Sequence, residues 1–249
     1  MKAMLLAAGL GTRLRPITNN LPKCMVSVAG KPVLERNVEW LRDQGVVDII
    51  VNLHYFPKAV TDYFGDGGDF GVRITYSHET ELMGTAGAVW AARRFFAGDE
   101  RFLVVYADNL ICCDLARLQA DHLLHQAALT MALYWREDVN ASGVVDLDGE
   151  GRIIGFKEKP RPGETESHLI NAGLFLCEQR VVDWIPAGCS SDFGHQVLPA
   201  MLSAQERLWG YLMEASESLH WIDTLADLSR TNCHFEENSV VIRMMMKLE

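Results

Sequence analysis

Short apolar runs alternate with amphipathic segments along most of the chain. Continuous apolar runs predict buried strands, and apolar residues spaced three and four apart predict helices. On this basis strands are predicted at residues 2–8, 48–55, 72–78, 102–108 and 129–135. Helices are predicted between them at residues 32–45, 57–65, 84–96 and 115–126. This βαβ order is typical of an α/β fold with a mostly parallel sheet.

The pattern changes near residue 143. Residues 143–160, GVVDLDGEGRIIGFKEKP, predict a hairpin with an Asp-Gly turn. A strand at 169–178, a helix near 194–202 and a strand near 207–214 follow. Because no repeat or Pro/Ser-rich linker separates the two halves, we expect one domain over residues 1–235 and a C-terminal tail at 236–249.

Composition narrows the classes of function. The chain has 249 residues, 49% of them hydrophobic, and a mean hydropathy of +0.02, values typical of a globular protein with one large core. It has no apolar run as long as a membrane span and no features of a signal peptide, so we expect a cytoplasmic protein without a membrane partner. The net charge of -10 argues against binding to a nucleic acid polymer. The six cysteines form no C-x-x-C pair, so free thiols are expected, with neither disulfides nor zinc.

Charge is distributed unevenly at the amino terminus. The first 34 residues contain no carboxylate, although an even distribution would give them about 4.5. Arg13 and Lys23 lie in and just after the glycine-rich segment GLGTRLRP at residues 9–16. Glycine-rich turns after a strand expose backbone amides that can bind phosphate oxygens. The dinucleotide pattern G-x-G-x-x-G is broken by Leu14, and no Walker sequence occurs. A phosphate-binding loop of another kind is therefore predicted, with a solvated basic face as the alternative.

Several motifs in order resemble a known family. They are LAAGLGTRLRPIT at 6–18, LPKCMVSVAGKPVLE at 21–35, GTAGA at 84–88, YADN at 106–109, FKEKP at 156–160, INAG at 170–173 and WID at 221–223. Together they resemble the nucleotidyltransferases that join a sugar 1-phosphate to a nucleoside triphosphate. The resemblance covers nearly the whole chain and identifies residues 1–235 as the nucleotidyltransferase domain. It implies a single-domain, Rossmann-like three-layer α/β/α fold, similar to glycosyltransferases of the A type, with a mixed, mainly parallel central sheet.

The resemblance also implies roles at the nucleotide side. Arg13 would hold the departing pyrophosphate portion, and Lys23 would lie on the phosphate side of the reaction centre. Such reactions depend on cations and positioning more than on bases or nucleophiles. The implied nucleotide-binding residues are Leu6, Ala7, Ala8, Gly9, Gly11, Thr12, Gly84, Thr85, Ala86 and Gly87. The glycines Gly84 and Gly87 are expected to let the chain pass close to a planar base.

Metal and sugar residues follow in the same way. Asp108 ends the apolar strand FLVVYAD, at the strand end where α/β folds place ligands. With Asp223 it would bind Mg²⁺, which prefers a few carboxylates together with substrate phosphates. On the sugar side, the resemblance implies Lys159 for the sugar phosphate, and Glu158, Asn171 and the Gly173 backbone for the sugar hydroxyls.

The chain departs from the family pattern at three places. The segment after Asp223 lacks the usual Gly-Thr-Pro turn, so the direction of the Asp223 side chain is left open. Cys24 and Ala107 replace other small residues. The i, i+3 pair His122 and His125 has no carboxylate partner in its pattern and is interpreted as surface residues.

The motifs most resemble guanylyltransferases for mannose or heptose 1-phosphate, so GTP is the expected donor. Uridylyl or cytidylyl transfer is the nearest alternative, and a non-catalytic nucleotide-sugar-binding regulator is an alternative of a different class. A dehydrogenase is the weakest interpretation. The expected partners are a nucleoside triphosphate and a sugar 1-phosphate, and a homo-oligomer is left open.

Overall fold

The structure, a computed structural model, describes the backbone of residues 1–245 and the side chains of residues 1–237. Its strands are β1 Lys2–Leu6, β2 Ser27–Val28, β3 Lys31–Pro32, β4 Asp48–Leu53, β5 Arg73–His78, β6 Arg101–Tyr106, β7 Leu110–Cys112, β8 Leu129–Trp135, β9 Gly143–Leu147, β10 Ile153–Glu158, β11 Leu169–Glu178, β12 Leu208–Leu212 and β13 Ser218–His220. Its α-helices are α1 Val33–Asp43, α2 Pro57–Phe64, α3 Gly84–Ala91, α4 Leu115–Leu124, α5 Leu198–Ser203 and α6 Leu225–Met245.

A nine-stranded mixed sheet organises the molecule. The strands β5, β4, β1 and β6 pair in parallel, as the βαβ pattern predicts. The strand β11 then pairs antiparallel with β6, β8 and β9, and β9 and β10 form the predicted hairpin. The sequence-based expectation of an α/β fold with a mixed central sheet is confirmed.

Each face of the sheet packs against its own layer of helices. Side chains alternate across a strand, so Leu5 and Met4 of β1 enter different cores. Leu5 packs with buried residues of α1, α2 and α4, and Met4 packs with buried residues of α3 and α5. Apolar burial on both faces explains why these strands read as continuous hydrophobic runs.

The carboxyl ends of the parallel strands meet at one edge of the sheet. Leu6, Asn52 and Tyr106 share one level in the register of β4, β1 and β6. The strand β11 reaches the same region, where its pairing with β8 is interrupted between Asn171 and Phe175. Loops that leave this edge carry most of the predicted site, the usual place for ligands in open α/β sheets.

Some local expectations were wrong. The helix predicted over residues 84–96 ends as α3 at Ala91, and the helix near 194–202 begins with a π-helical turn, Phe193–Val197, before α5. His122 is not a surface residue, because its ring is buried and lies within hydrogen-bonding distance of Thr130 and Glu178.

The C-terminal part of the chain is helical as far as the structure describes it. The boundary predicted between residues 235 and 236 falls inside α6, and residues 246–249 of the predicted tail lie outside the described residues. Among the helices in the described part of the chain, none combines the length and apolarity that crossing a bilayer requires.

Candidate active site

Two neighbouring cavities open at the carboxyl edge of the parallel strands. The first has a volume of about 280 Å³ and is bounded by the end of β1, the end of β4 and the start of α3. Six residues predicted to bind the nucleotide line it, together with the predicted catalytic residue Lys23: Leu6, Ala7, Ala8, Gly9, Gly84 and Thr85. The glycine loop and the GTAGA segment thus border the same cavity.

The second cavity, of about 290 Å³, contains three of the four residues predicted for the sugar side together with both predicted metal ligands. Its walls include Arg13, Asp108, Glu158, Lys159, Asn171 and Asp223. The two cavities share Thr85, Tyr106, Asp108 and Asp192. A ligand in each cavity would therefore meet its neighbour at this common wall.

A buried lysine joins the two predicted metal ligands. Lys23 Nζ lies 2.8 Å from Asp108 Oδ2 and 2.7 Å from Asp223 Oδ1, and its side chain is only 6% exposed. Burial alone would lower the pKa of Lys23, but the two carboxylates outweigh burial and raise it. Arg13 Nη2 reaches Asp223 Oδ1 at 2.9 Å. The missing Gly-Thr-Pro turn therefore does not turn Asp223 away from the site.

The glycine loop packs against Lys23, since a Cβ on Gly11 would lie 2.9 Å from Lys23 Cβ. Gly9 borders the first cavity, and beyond its chain neighbours no atom lies within 4 Å of its Cβ position. Gly11 and Thr12 do not line either cavity. The Gly11 carbonyl accepts hydrogen bonds from Thr18 Oγ1 and the Leu14 amide, which fixes the turn that carries Arg13.

The GTAGA segment packs against a second loop, residues 189–193, and does not face open space along its whole length. The amides of Ala86 and Gly87 donate to the Ser191 carbonyl, and a Cβ on Gly84 would lie 2.5 Å from that same oxygen. Ala86 and Gly87 are buried behind the cavity wall. The structure thus accounts for these small residues by close packing on the loop at residues 189–193, whereas Gly84 and Thr85 also line the first cavity.

Asp192 of that loop connects the two cavities. Its Oδ1 accepts hydrogen bonds from the Thr85 amide and from Thr85 Oγ1, both at 3.0 Å. Thr85 Oγ1 in turn accepts from the Phe193 amide. Sequence reasoning missed Asp192, because nothing local in the segment SSDFGHQ indicates that it packs against a motif about a hundred residues earlier.

A pair of polar residues at the first cavity was also missed. Asn52 is buried at the end of β4, where its Oδ1 accepts from the Ala7 amide and its Nδ2 donates to Glu79 Oε1. Glu79 Oε2 accepts from the Met83 amide. Asn52 and Glu79 both line the cavity. The polar Asn52 inside the apolar run DIIVNL was the one signal that could have indicated this pair.

Three of the predicted sugar-side residues line the second cavity, and the fourth, Gly173, packs beneath Tyr106. Glu158 and Lys159 end the β10 side of the hairpin, with Lys159 Nζ 3.7 Å from Glu158 Oε1. Asn171 lines the second cavity, but its Oδ1 also accepts from the Gly173 amide. Gly173 itself does not line the cavity and lies under the Tyr106 ring, since a Cβ there would be 2.9 Å from Tyr106 Cβ.

The donor set fits magnesium. Asp108 Oδ1 and Asp223 Oδ2 take no part in the ion pairs with Lys23 and Arg13, so each carboxylate keeps an oxygen for a cation. Within residues that the structure describes, no group of three or more His, Cys, Asp or Glu side chains is placed to hold a metal. Such a site would need substrate phosphates to complete its shell, which is how Mg²⁺ is usually bound.

Comparison with known proteins identifies the family. Residues 2–236 match the Nucleotidyl transferase family. The chain belongs to this family. It is 36% identical over 235 residues to the UTP–glucose-1-phosphate uridylyltransferase of Synechocystis, a match that covers 90% of this chain and 60% of that protein. It is 33% identical over 222 residues to the mannose-1-phosphate guanylyltransferase of Mycobacterium tuberculosis, covering 89% and 60%. The chain thus spans 60% of the length of each of these curated relatives.

Solved structures share the fold. A putative glucose-1-phosphate thymidylyltransferase from Bacillus anthracis, in complex with a sucrose, matches with a TM-score of 0.83 and 25% identity over 94% of both chains. HddC from Yersinia pseudotuberculosis, complexed with GMP-PN, matches with a TM-score of 0.79 and 26% identity, covering 94% of this chain and 99% of that one. The predicted family and fold class are both confirmed.

Proposed function

We propose that this protein transfers a nucleotidyl group from a nucleoside triphosphate to a sugar 1-phosphate and releases pyrophosphate. One observation carries the proposal. The cavity bounded by the glycine loop and the cavity that contains Lys159 share a wall, and the Lys23, Asp108 and Asp223 cluster lies where they meet. A sugar phosphate in the second cavity would be positioned against the α-phosphate of a nucleotide in the first.

The residues of the chain supply cations and orientation. Lys23 is held charged by its two carboxylates and stabilises negative charge that develops on the transferred phosphate. Arg13 lines the second cavity with a side chain that is 62% exposed, so its guanidinium can bind the departing pyrophosphate. Lys159, whose side chain is 66% exposed, can hold the sugar phosphate, whose oxygen is the nucleophile. Asp108 and Asp223 would hold Mg²⁺, which when bound neutralises the charge of the phosphates.

Glu79 supports GTP as the donor. A carboxylate accepts hydrogen bonds and donates none, and it has about four acceptor sites, of which Asn52 and the Met83 amide occupy two. Guanine presents adjacent N–H donors on its Watson–Crick edge, which suit a carboxylate. Uracil presents a single N–H between two carbonyl oxygens, which a carboxylate would repel. A cavity with Glu79 on its wall therefore favours guanine.

Initial rates test the proposal directly. GTP, UTP, CTP, ATP and dTTP are each combined with a panel of sugar 1-phosphates in the presence of magnesium, and pyrophosphate release is measured. We expect turnover that is lost on chelation and is fastest with GTP. A tenfold advantage for another triphosphate, about 1.4 kcal/mol in the transition state, would contradict the guanylyl assignment alone.

Uridylyl transfer is the second candidate, because the Synechocystis relative named for that activity matches over 90% of this chain. A non-catalytic regulator is the third. It predicts binding of a nucleotide or nucleotide sugar, measured by calorimetry, without pyrophosphate release from any pair in the panel. That outcome would contradict the catalytic proposal and leave the family assignment untouched.

A further inference from the structure

A third cavity, of about 390 Å³, shares Trp221 with the second cavity, which is the proposed sugar cavity. It is formed by the end of β8, by β13 and by the first turns of α6. None of the residues assigned above to catalysis or substrate binding lines it. Its charged and aromatic walls are Arg136, His220, Trp221, Asp227, Arg230 and His234.

The described wall of this cavity carries two arginines and one carboxylate, in a chain whose net charge is -10. The Arg136 guanidinium stacks on the Trp221 ring at 4.5 Å and pairs with no carboxylate among the described residues. Asp227 is the one acidic residue on the wall among residues 1–237, and it is already engaged by Arg230 and by the amide and hydroxyl of Thr224. Among the side chains that the structure describes, none balances the charge of Arg136 in this cavity.

A buried nitrogen on the same wall is also unsatisfied. Within the described part of the chain, His220 Nε2 has no hydrogen-bond partner although solvent does not reach it. The rings of His220 and His234 lie 4.5 Å apart, so two imidazoles and two guanidiniums surround one space. Guanidinium and imidazole N–H groups are donors that match phosphate oxygens, and charge-assisted bonds of this kind are the strong ones.

We infer that this cavity binds a phosphate dianion, free or as a monoester, with Arg136 and Arg230 as its principal ligands. The ligand would lie against Trp221, which forms part of both this cavity and the sugar cavity. His220 pairs with Leu110 across β13 and β7, and Asp108 and Asp223 flank these strands. Under the proposed function, occupancy is therefore expected to change the KM for the sugar phosphate.

Binding can be tested without turnover. Inorganic phosphate and glucose 6-phosphate, which has no anomeric phosphate, are titrated into the protein by calorimetry at constant ionic strength. The double variant Arg136→Gln/Arg230→Gln removes both guanidiniums. Its matched control is Lys58→Gln/Arg180→Gln, which changes the net charge equally at two exposed side chains outside the cavity. Lys159→Ala identifies phosphate that binds instead in the sugar cavity.

We expect at least one probe to bind the wild type and to bind the double variant about tenfold or more weakly, with the control near wild type. Lys159→Ala should remove only a binding component that belongs to the sugar cavity and should leave the component that the double variant weakens. Stronger binding of glucose 6-phosphate would indicate a monoester, and stronger binding of phosphate would indicate the free ion. No saturable binding, or binding that only Lys159→Ala weakens, would overturn the inference. If the double variant fails to fold, Arg136→Gln alone must weaken binding while Arg136→Lys largely restores it. These outcomes do not depend on the proposed catalysis, so a failure of either proposal can be recognised separately.

Discussion

Lys23 forms ion pairs with two site residues that lie far from it in the sequence. Its motif, and those of Asp108 and Asp223, could be recognised along the chain, but the ion pairs join residues 85 and 200 positions apart. No local pattern encodes which oxygens face the ammonium. The cluster exists because the loops after β1, β6 and β13 converge at one sheet edge.

Replacing Asp108 or Asp223 by asparagine is expected to change different kinetic constants. Asp108→Asn removes one carboxylate beside Lys23 and should lower kcat by roughly 10² or more, about 3 kcal/mol of transition-state stabilisation. Asp223→Asn should lower kcat and also raise the KM for the triphosphate, because Asp223 holds Arg13 as well as Lys23. Steady-state kinetics with both substrates varied measures the difference. Wild-type kcat in Asp108→Asn would remove that residue from the mechanism.

Glu79 allows a test of base selection at one atom. Glu79→Gln replaces one acceptor oxygen by a donor, so guanine should lose a hydrogen bond and meet an N–H group instead. We expect kcat/KM for GTP to fall by about tenfold or more, with a smaller effect for UTP, and so a reduced ratio between the two. Glu81→Gln is the matched control, because Glu81 is exposed and lies outside the cavity. Equal losses for GTP and UTP would show that Glu79 does not read the base.

At the scale of elements, hydrophobic periodicity predicted the strand and helix order because both sheet faces are covered. The apolar runs of β1, β4 and β6 are buried almost completely and therefore carry a strong signal. Packing between distant segments carries no such signal. The docking of GTAGA on residues 189–193 and the break in β11 at Gly173 depend on tertiary contacts that periodicity does not encode.

The break in β11 gives a prediction about stability. Gly173 has φ of 79° and lies against the Tyr106 ring, so Gly173→Ala adds both backbone strain and a clash. We expect it to lower the free energy of unfolding by about 1–3 kcal/mol. Gly163→Ala is the control, because Gly163 has φ of 85° with no neighbouring atom within 4 Å of its Cβ position. Urea unfolding compares the two, and equal losses would show that contact with Tyr106 adds nothing.

At the scale of the whole molecule, stability should depend on pH through a buried histidine. Burial lowers the pKa of His122 below its ordinary value of 6.5, against a smaller opposing effect of the Glu178 carboxylate. In the unfolded chain His122 takes up a proton near pH 6.5, whereas in the folded chain it takes up a proton only at a lower pH. The contribution of His122 to the free energy of unfolding is therefore fully present above pH 6.5. It decreases as the pH falls from 6.5 toward the pKa of His122 in the folded chain.

Other groups also titrate as pH falls, and loss of the net charge of -10 reduces self-repulsion, so the wild-type curve alone is ambiguous. The comparison with His122→Gln isolates the one group. We expect its melting temperature to be lower than wild type at pH 7.5, because Thr130 and Glu178 lose the imidazole, but to change less between pH 7.5 and 5.5. His78→Gln removes an exposed imidazole instead and should keep the wild-type pH dependence. If His122→Gln and His78→Gln lose stability in parallel as pH falls, the buried imidazole is not the source, and the acid sensitivity belongs to the surface charge as a whole.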